Sequence, residues 1–198
     1  MKDFARIPTR IGVTGSPGTG KKTVGRELAK ITGFELLLFK DFAMRNGLGA
    51  WKGNEYLVDV GKASNKVDTR RKIVCGHLLP YVITDSKIDV VVVLRCAPKV
   101  LLERYRKRKY TSSKILENIE AEMIGVVSER ASRVYTRKKL MEFDTTRSRN
   151  PKTLAKRILQ TIQGRIPSSF GRIDWLSSRY SAQTMIESLS AGRVITKP

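Results

Sequence analysis

Residues 15–23 read Gly-Ser-Pro-Gly-Thr-Gly-Lys-Lys-Thr and stand between an apolar stretch and a helical pattern. The apolar residues 11–13, Ile-Gly-Val, predict a buried strand, and the pattern after the loop predicts an amphipathic helix that begins near Gly20. A strand, a glycine-rich turn and a helix in this order form the Walker A arrangement, in which the turn holds phosphate groups. The segment therefore predicts a loop that binds a nucleoside triphosphate.

The residue types of this loop suit that chemistry. Gly15, Gly18 and Gly20 allow a tight turn that directs backbone N–H groups inward, and the helix that follows adds the positive end of its dipole. Lys21 brings a full charge to the β- and γ-phosphates. The alternative is a glycine-rich turn without a nucleotide, which the flanking strand and helix disfavour. The other loop residues that we expect to contact the nucleotide are Thr19, Lys22 and Thr23.

One position departs from the usual pattern. Lys22 stands where a Ser or Thr would ligate Mg²⁺, and the hydroxyl comes only at Thr23. A second cation at this place argues against the metal-ligating scheme of GTPases and motor ATPases. The loop instead resembles the G-x-P-G-x-G-K-G-T form of adenylate kinases, in which the final Thr lies near the α-phosphate.

Length and composition predict one compact domain, residues 1–164, followed by a basic extension, residues 165–198. A chain of 198 residues with 40% hydrophobic residues can bury a sizeable core but is short for two ordinary domains. No segment approaches the ~20 apolar residues of a membrane span, and residues 1–10 lack the apolar centre of a signal peptide. We expect a cytoplasmic protein without membrane contact.

The net charge is a second strong feature. Lys and Arg number 39 against 18 Asp and Glu, which gives a formal net charge of +21 and a pI near 10.4. This excess goes beyond what solubility or a nucleotide site requires, so it indicates a polyanionic partner, with RNA as the first candidate. Many of these charges would equally serve as solvated surface.

The order of apolar runs and helical stretches predicts an α/β fold: a doubly wound, five-stranded parallel sheet with helices on both faces. Val90-Val91-Val92-Val93-Leu94 lacks polar alternation, so we expect it to be central and covered on both faces. An irregular glycine-rich stretch should follow the second strand, through Gly53. The predicted strands are residues 10–14, 35–39, 72–75, 90–95 and 140–144.

Four helices are predicted from periodicity and end signals. The first covers 21–31 and ends at Gly33, and the second begins with Pro98 and runs through Arg108. The last covers 151–163. Between these, Ser113 should cap a longer helix whose buried face carries Ile115, Ile119, Met123 and Val127.

The extension after Gly164 changes in character. It contains Trp175 and Leu176, which could pack on the domain or reach toward a partner, and packing is the favoured interpretation. A short helix is predicted from there through Leu189.

Further motifs occur in a fixed order along the chain. They are residues 73–77 (Ile-Val-Cys-Gly-His), 92–95, 101–110, 117–122 and 142–146. Together with the phosphate loop they resemble the archaeal and nuclear adenylate kinase group known as adenylate kinase isoenzyme 6, an NTPase linked to small ribosomal subunit maturation. The resemblance covers about residues 8–164. It implies a P-loop NTPase fold with two insertions, one that binds the nucleoside monophosphate and one that acts as a lid.

The resemblance also implies site residues. The monophosphate region would lie at about 38–61, with Asp41 and Arg45 binding AMP, and the lid near 107–117. Arg104 and Arg108 would act on the transferring phosphate, beside Lys21, because arginines delivered by a closing lid neutralise charge and exclude water. ATP and Mg²⁺ would be the cofactors.

His77 matches the family histidine implicated in activity, and a structural histidine at a strand end is the alternative. Cys75 stands where the family often has an aspartate that helps to hold hydrated Mg²⁺. Lys40 and Met44 replace the usual Gly and Arg, with Arg45 one place off, so AMP binding is less firmly predicted than ATP binding.

The resulting expectation is transfer of the γ-phosphoryl group from ATP to AMP, giving ADP, or to water. The resemblance adds two partners, a platform protein of the small ribosomal subunit and rRNA. The alternative is a nucleotide-gated assembly chaperone or ATPase with little kinase activity, and a small-metabolite kinase of the same fold is a more distant one.

Overall fold

The computed structural model describes residues 7–53, 55–148 and 150–177. The strands are β1 (Arg10–Thr14), β2 (Glu35–Leu38), β3 (Gly49–Lys52), β4 (Glu55–Val58), β5 (Lys72–Cys75), β6 (Val90–Arg95) and β7 (Leu140–Asp144). Five of them form one parallel sheet in the order β2-β5-β1-β6-β7. β3 and β4 pair as a separate antiparallel hairpin.

Eight α-helices connect and cover these strands. They are α1 (Lys21–Thr32), α2 (Phe39–Arg45), α3 (Val60–Lys66), α4 (Leu79–Val82), α5 (Pro98–Lys107), α6 (Ser112–Met123), α7 (Val126–Val134) and α8 (Pro151–Ile162). Short 3₁₀ turns at Asp85–Lys87 and Arg137–Lys139 precede β6 and β7. These counts apply to the described residues.

Both faces of the sheet are buried, because successive side chains of a strand point to opposite sides. Val91 and Val93 pack in the cluster on one face, and Val92 and Leu94 in the cluster on the other. The four side chains are fully buried, and β6 lies inside the sheet between β1 and β7. The predicted central valine-rich strand and the predicted α/β P-loop fold are therefore confirmed.

The strand order creates a crevice at one edge of the sheet. The chain passes from β1 outward to β2 and β5 and then crosses to β6 and β7, so the connections diverge after β1 and β6. In open parallel sheets, ligands bind at this switch point, outside the carboxyl ends of the strands. The loop of residues 15–20 leaves β1 there.

The glycine-rich stretch after β2 is ordered, in contrast to the prediction. Phe39, expected to end the strand, begins α2 and is buried, and the following residues form the β3–β4 hairpin. Trp51 faces Tyr56 across this hairpin, with ring centroids 5.5 Å apart, and the Tyr56 hydroxyl donates to the Ala43 carbonyl of α2 at 3.3 Å. The hairpin is thus attached to α2 as one arm.

The long helix predicted from Ser113 is divided. Thr111, not Ser113, caps α6 by accepting from the Lys114 N–H at 3.4 Å. Gly125 adopts φ +69° between α6 and α7, so Val127 belongs to the second helix and the four-residue spacing ends at Met123.

Residues 169–175, here called the C-terminal strap, lie along the outer edge of β7. The Glu142 N–H donates to the Ser169 carbonyl at 2.7 Å, and Phe170 is buried. Trp175 donates from Nε1 to Glu122 Oε1 at 3.1 Å, which agrees with packing on the domain, whereas Leu176 is 57% exposed. The predicted helix through Leu189 lies outside the described residues.

A buried ion network anchors this strap. Arg95 Nε donates to Glu122 Oε1 at 2.8 Å, and Arg95 Nη1 donates to Glu142 Oε1 at 3.3 Å. The other Glu142 oxygen accepts the backbone N–H groups of residues 171–173. Each charge is therefore partnered, as buried charges must be.

Within the described residues, none of the helices combines the length and apolar character needed to cross a lipid bilayer.

Candidate active site

The glycine loop can adopt its path only without side chains at two positions. Gly15 has φ +137°, and a Cβ there would stand 2.2 Å from the Leu94 carbonyl oxygen. Gly18 has φ +82°, and a Cβ there would stand 2.9 Å from the Tyr105 ring. Both conformations favour glycine, so the backbone itself forms the inner surface of the loop.

Lys21 folds back over this loop from the first turn of α1. Its Nζ donates to the Gly15 and Ser16 carbonyls, at 2.8 Å each. Burial lowers the pKa of Lys21 to about 8, and the Arg108 charge acts in the same direction, while Cys75 and Glu122 oppose it. The amine is charged at neutral pH and is held against the backbone of the loop.

Helix α5 and the end of β7 hold the loop from outside. The Tyr105 hydroxyl donates to the Pro17 carbonyl at 2.5 Å, and Arg104 Nη1 donates to the Gly18 carbonyl at 2.7 Å. The Thr145 hydroxyl reaches the Thr19 carbonyl at 3.0 Å. Arg104, predicted to act on the transferring phosphate, is thus engaged with the loop backbone.

A cleft of about 230 Å³ opens beside the loop. Its walls combine loop residues, two arginines and a small apolar surface from α1 and α8. The lining residues are Gly18, Thr19, Gly20, Thr23, Val24, Arg104, Arg108, Thr145, Ser148, Pro151 and Leu154.

Six of these lining residues belong to the predicted site, whereas Val24, Thr145, Ser148, Pro151 and Leu154 were not identified. A signal for Thr145 existed, because it follows directly after the predicted fifth strand, at the edge where ligands bind. Lys22, by contrast, is exposed and is not among the lining residues.

Cys75 is the last residue of β5 and contacts the backbone of Lys21, and His77 follows two residues later. The Cys75 thiol donates to the Lys21 carbonyl at 3.6 Å, and burial raises its pKa to about 12. The His77 side chain is exposed to solvent, although the residues around it displace part of its hydration shell. Desolvation by the surrounding residues lowers its pKa to about 4, and Lys21, Lys40 and Lys114 lower it too, so its imidazole is neutral at pH 7.

Asp41 and Arg45 lie on α2 with exposed side chains. Arg45 Nε donates to the Asp41 carbonyl at 3.3 Å, a bond within one helix turn. Their part in AMP binding stays a prediction. The predicted lid, residues 107–117, is a short turn around Lys109, which has φ +55°, followed by the first turns of α6.

The donor set bears on how Mg²⁺ could be held. Among the residues that the structure describes, no three His, Cys, Asp or Glu side chains come together as a metal site. The position after Lys21 carries the cation of Lys22, and the Cys75 thiol is protonated. These side chains do not fit a protein-bound ion, which leaves the phosphates of a nucleotide and water as ligands.

Comparison with known proteins agrees with this geometry. Residues 11–125 match the family model of an AAA domain. Shikimate kinase from Acinetobacter baumannii, in complex with shikimate, superposes with a TM-score of 0.54 at 18% identity, over 81% of this chain and 96% of that one. A gluconokinase from Sinorhizobium meliloti gives 0.52 at 17% identity, over 80% and 93%. The fold and the loop define an α/β P-loop protein.

Sequence relatives make the family specific. A Pyrococcus furiosus protein named "Putative adenylate kinase" is 36% identical over 169 residues, which cover 83% of this chain and 90% of the relative. A Methanocaldococcus jannaschii protein of the same name is 29% identical over 185 residues, covering 89% and 98%. The chain belongs to the P-loop family that contains these archaeal proteins.

Proposed function

We propose that the protein transfers the γ-phosphoryl group from ATP to AMP, as an adenylate kinase. The observation that carries the proposal is a cleft lined by the glycine loop and Arg108, with the Lys21 ammonium bonded to the Gly15 and Ser16 carbonyls of that loop and close enough to Arg108 to be affected by its charge. Phosphoryl transfer depends mainly on positioning and on neutralising charge, and these groups supply both. The names of the archaeal relatives support the same activity.

In this proposal each residue of the loop has a distinct part. Lys21 exchanges its two carbonyl partners for the β- and γ-phosphate oxygens, which accept the same ammonium hydrogens. The N–H groups of Gly18, Thr19, Gly20, Lys21 and Lys22 surround the phosphates, with Gly15 as the turn that precedes them, and Thr23 stands toward the α-phosphate. Val24, Pro151 and Leu154 offer an apolar wall for the nucleoside.

The two arginines and His77 have separate roles in the proposed reaction. Arg108 faces the cleft with an exposed guanidinium and stabilises the charge that develops on the transferring group. Arg104 positions the loop through the Gly18 carbonyl. Neutral His77 accepts or donates a hydrogen bond at the acceptor end, whereas a cationic role would require a pH near 4.

The test is ADP formation from ATP with and without AMP. Lys21→Ala should lower the AMP-dependent rate by at least ~10²-fold, because a preorganised charge on the transferring group is lost. Lys22→Thr is the matched control and should retain turnover, since the Lys22 side chain is exposed. Near-normal turnover in Lys21→Ala, or phosphate release that does not depend on AMP, would contradict the proposal.

A second function is proposed from the net charge of +21. The protein would bind a platform protein of the small ribosomal subunit and rRNA during maturation, with nucleotide turnover gating that contact. A phosphate cleft requires only a few of the basic residues, so the surplus supports a polyanionic partner. In this view the domain of residues 1–164 carries the nucleotide chemistry and the extension 165–198 adds basic surface.

A further inference from the structure

Lys40 and His77 leave neighbouring elements at the edge of the sheet where the acceptor of the phosphoryl group must lie. Leu38 of β2 is in register with Cys75 of β5, so Lys40 and His77 each follow two residues beyond a paired position. Lys21 adjoins the same place through the contact of its carbonyl with Cys75. Lys40 and His77 therefore follow adjacent strands at the same edge of the sheet, next to the first turn of α1.

A third cation reaches this space from α6. Lys114 forms an ion pair with Glu55 of the β3–β4 hairpin, and its Nζ lies 5.9 Å from the centroid of the Tyr110 ring. Tyr110 stacks on Tyr105 at 5.3 Å, and Tyr105 holds the glycine loop through Pro17. The contacts thus run from the loop through α5 and α6 to the hairpin, and from the hairpin to α2 through Tyr56.

Electrostatic effects agree that these groups share one space. The pKa of Glu55 is lowered by Lys114 and also by Lys40. Lys40 and Lys114, with Lys21, lower the pKa of His77 after desolvation. Lys114 pairs with Glu55 directly and Lys40 acts on it through its charge, which leaves a net positive charge around this carboxylate.

We infer that Lys40 and Lys114 bind the phosphate of a phosphomonoester acceptor, and that Glu55 occupies this phosphate position until the acceptor displaces it. A phosphate dianion with three oxygens neutralises both lysines, whereas Glu55 supplies a single negative charge. The Glu55–Lys114 pair is exposed on both sides, at 59% and 40%, so water screens it and exchange costs little.

The consequence is selectivity. A neutral hydroxyl acceptor carries no charge with which to displace Glu55, so Glu55 favours phosphomonoesters over neutral acceptors at this place. The inference rests on the proposed kinase function and adds the residues that select its acceptor. Lys40 lies within the segment 38–61 expected to bind the monophosphate, directly before Asp41.

The experiment is calorimetric titration of the full chain with AMP and with adenosine, both without ATP. Lys40→Met and Lys114→Met should each weaken AMP binding about tenfold or more, since each removes a charge-assisted contact, and should leave adenosine binding unchanged. Glu55→Gln should tighten AMP binding several-fold. Because misfolding cannot produce a gain of affinity, this variant keeps the inference falsifiable.

Glu27→Gln is the control, because Glu27 also forms an ion pair with a surface lysine, Lys30 on α1, at 2.8 Å and lies away from this place. Equal AMP affinity in Glu55→Gln and Glu27→Gln, or equal losses for AMP and adenosine in the lysine variants, overturns the inference. Loss of AMP selectivity in the lysine variants without any ADP formation by the wild-type chain would refute the proposed kinase and retain the phosphate site. Normal kcat and KM for AMP in both lysine variants would refute the phosphate site and retain the proposed kinase.

Discussion

Lys21 has a pKa close to the pH of most assays, although lysines are ordinarily charged well beyond it. Burial lowers its pKa to about 8, and two carbonyl contacts hold the ammonium in place. The same burial that makes the side chain available to a phosphate therefore makes its charge sensitive to alkali. Bound phosphates favour the charged form and raise the pKa again.

ATP affinity should consequently fall as the pH rises. Below pH 8 Lys21 of the free protein is an ammonium, and above pH 8 it is mostly a neutral amine. At high pH, ATP binding therefore requires Lys21 to take up a proton from the solvent. Between pH 7 and pH 9 we expect the association constant to decrease about tenfold, the limit set by one proton with a pKa near 8. Titration calorimetry at the two pH values measures this.

Lys21→Arg is the control, because a guanidinium stays charged throughout this range. Its ATP affinity should be flat between pH 7 and pH 9. A wild-type affinity that is also flat would show that Lys21 titrates elsewhere or does not contact ATP.

At the scale of the elements, α1 packs on β5 with almost no space between them. A Cβ at Gly25 would lie 2.3 Å from the Cys75 sulfur and 3.1 Å from Leu36 Cδ1. The Cys75 sulfur of β5 therefore occupies the space that a side chain at Gly25 of α1 would need.

Gly25→Ala should therefore destabilise the fold by about 1–3 kcal/mol, the usual cost of overpacking a core. The double variant Gly25→Ala with Cys75→Ala should recover part of that loss, because the clashing sulfur is removed. Denaturant unfolding of the four chains of this cycle measures the coupling. Strictly additive effects would mean that the two positions do not contact.

Arg108, in the turn between α5 and α6, allows a test of how the transferring phosphate is stabilised. Arg108→Ala should lower kcat by about tenfold or more while changing ATP affinity less, because its charge acts on the transferring group and ATP binding is shared with the loop. Arg106→Ala is the matched control, since Arg106 is exposed on α5 and does not line the cleft. Unchanged kcat together with altered affinity for the ribosomal partner would favour the assembly chaperone.

The sequence predicted those elements whose signals are local. Gly33 ends α1 in a left-handed conformation at φ +70°, and Pro98 opens α5, as their residue types indicate. The β3–β4 hairpin was missed because its strands are short and largely exposed, so they carry no apolar alternation. The break at Gly125 was hidden by a spacing that continued across it.

The site divides in the same way. The loop residues follow one another in the chain, so their motif could be read directly. The cleft residues Thr145, Pro151 and Leu154 come from the far end of the domain, and only the pairing of β6 with β7 brings them beside the loop. Lys114 and Glu55 form an ion pair through tertiary packing, and no sequence pattern around either residue predicts such a pair.

At the scale of the whole molecule, the net charge of +21 predicts salt-sensitive association with RNA. Affinity for rRNA fragments should drop roughly tenfold or more between about 50 and 200 mM salt, because each neutralised phosphate releases counterions. Filter binding across this range measures the slope. A salt-independent affinity, or none at low salt, would count against RNA as a partner.

The salt dependence of RNA affinity also tests the contribution of the C-terminal extension, residues 165–198. Deletion of residues 178–198, which carry Arg179, Arg193 and Lys197, should flatten the salt slope if these charges contact RNA. This shorter deletion is preferable to removal of 165–198, because it keeps the strap and its bonds to Glu122 and Glu142.

The strap also bears on how these molecules behave toward one another. β7 is the last strand of the sheet, and its Glu142 N–H is satisfied by Ser169. Unsatisfied backbone groups along an outer strand can recruit a strand from another molecule, which is how many native proteins begin to aggregate. Ser169 and the residues after it therefore act as a shield against intermolecular β-pairing, and a chain cut before this point would be expected to precipitate at concentrations where the full chain stays dispersed.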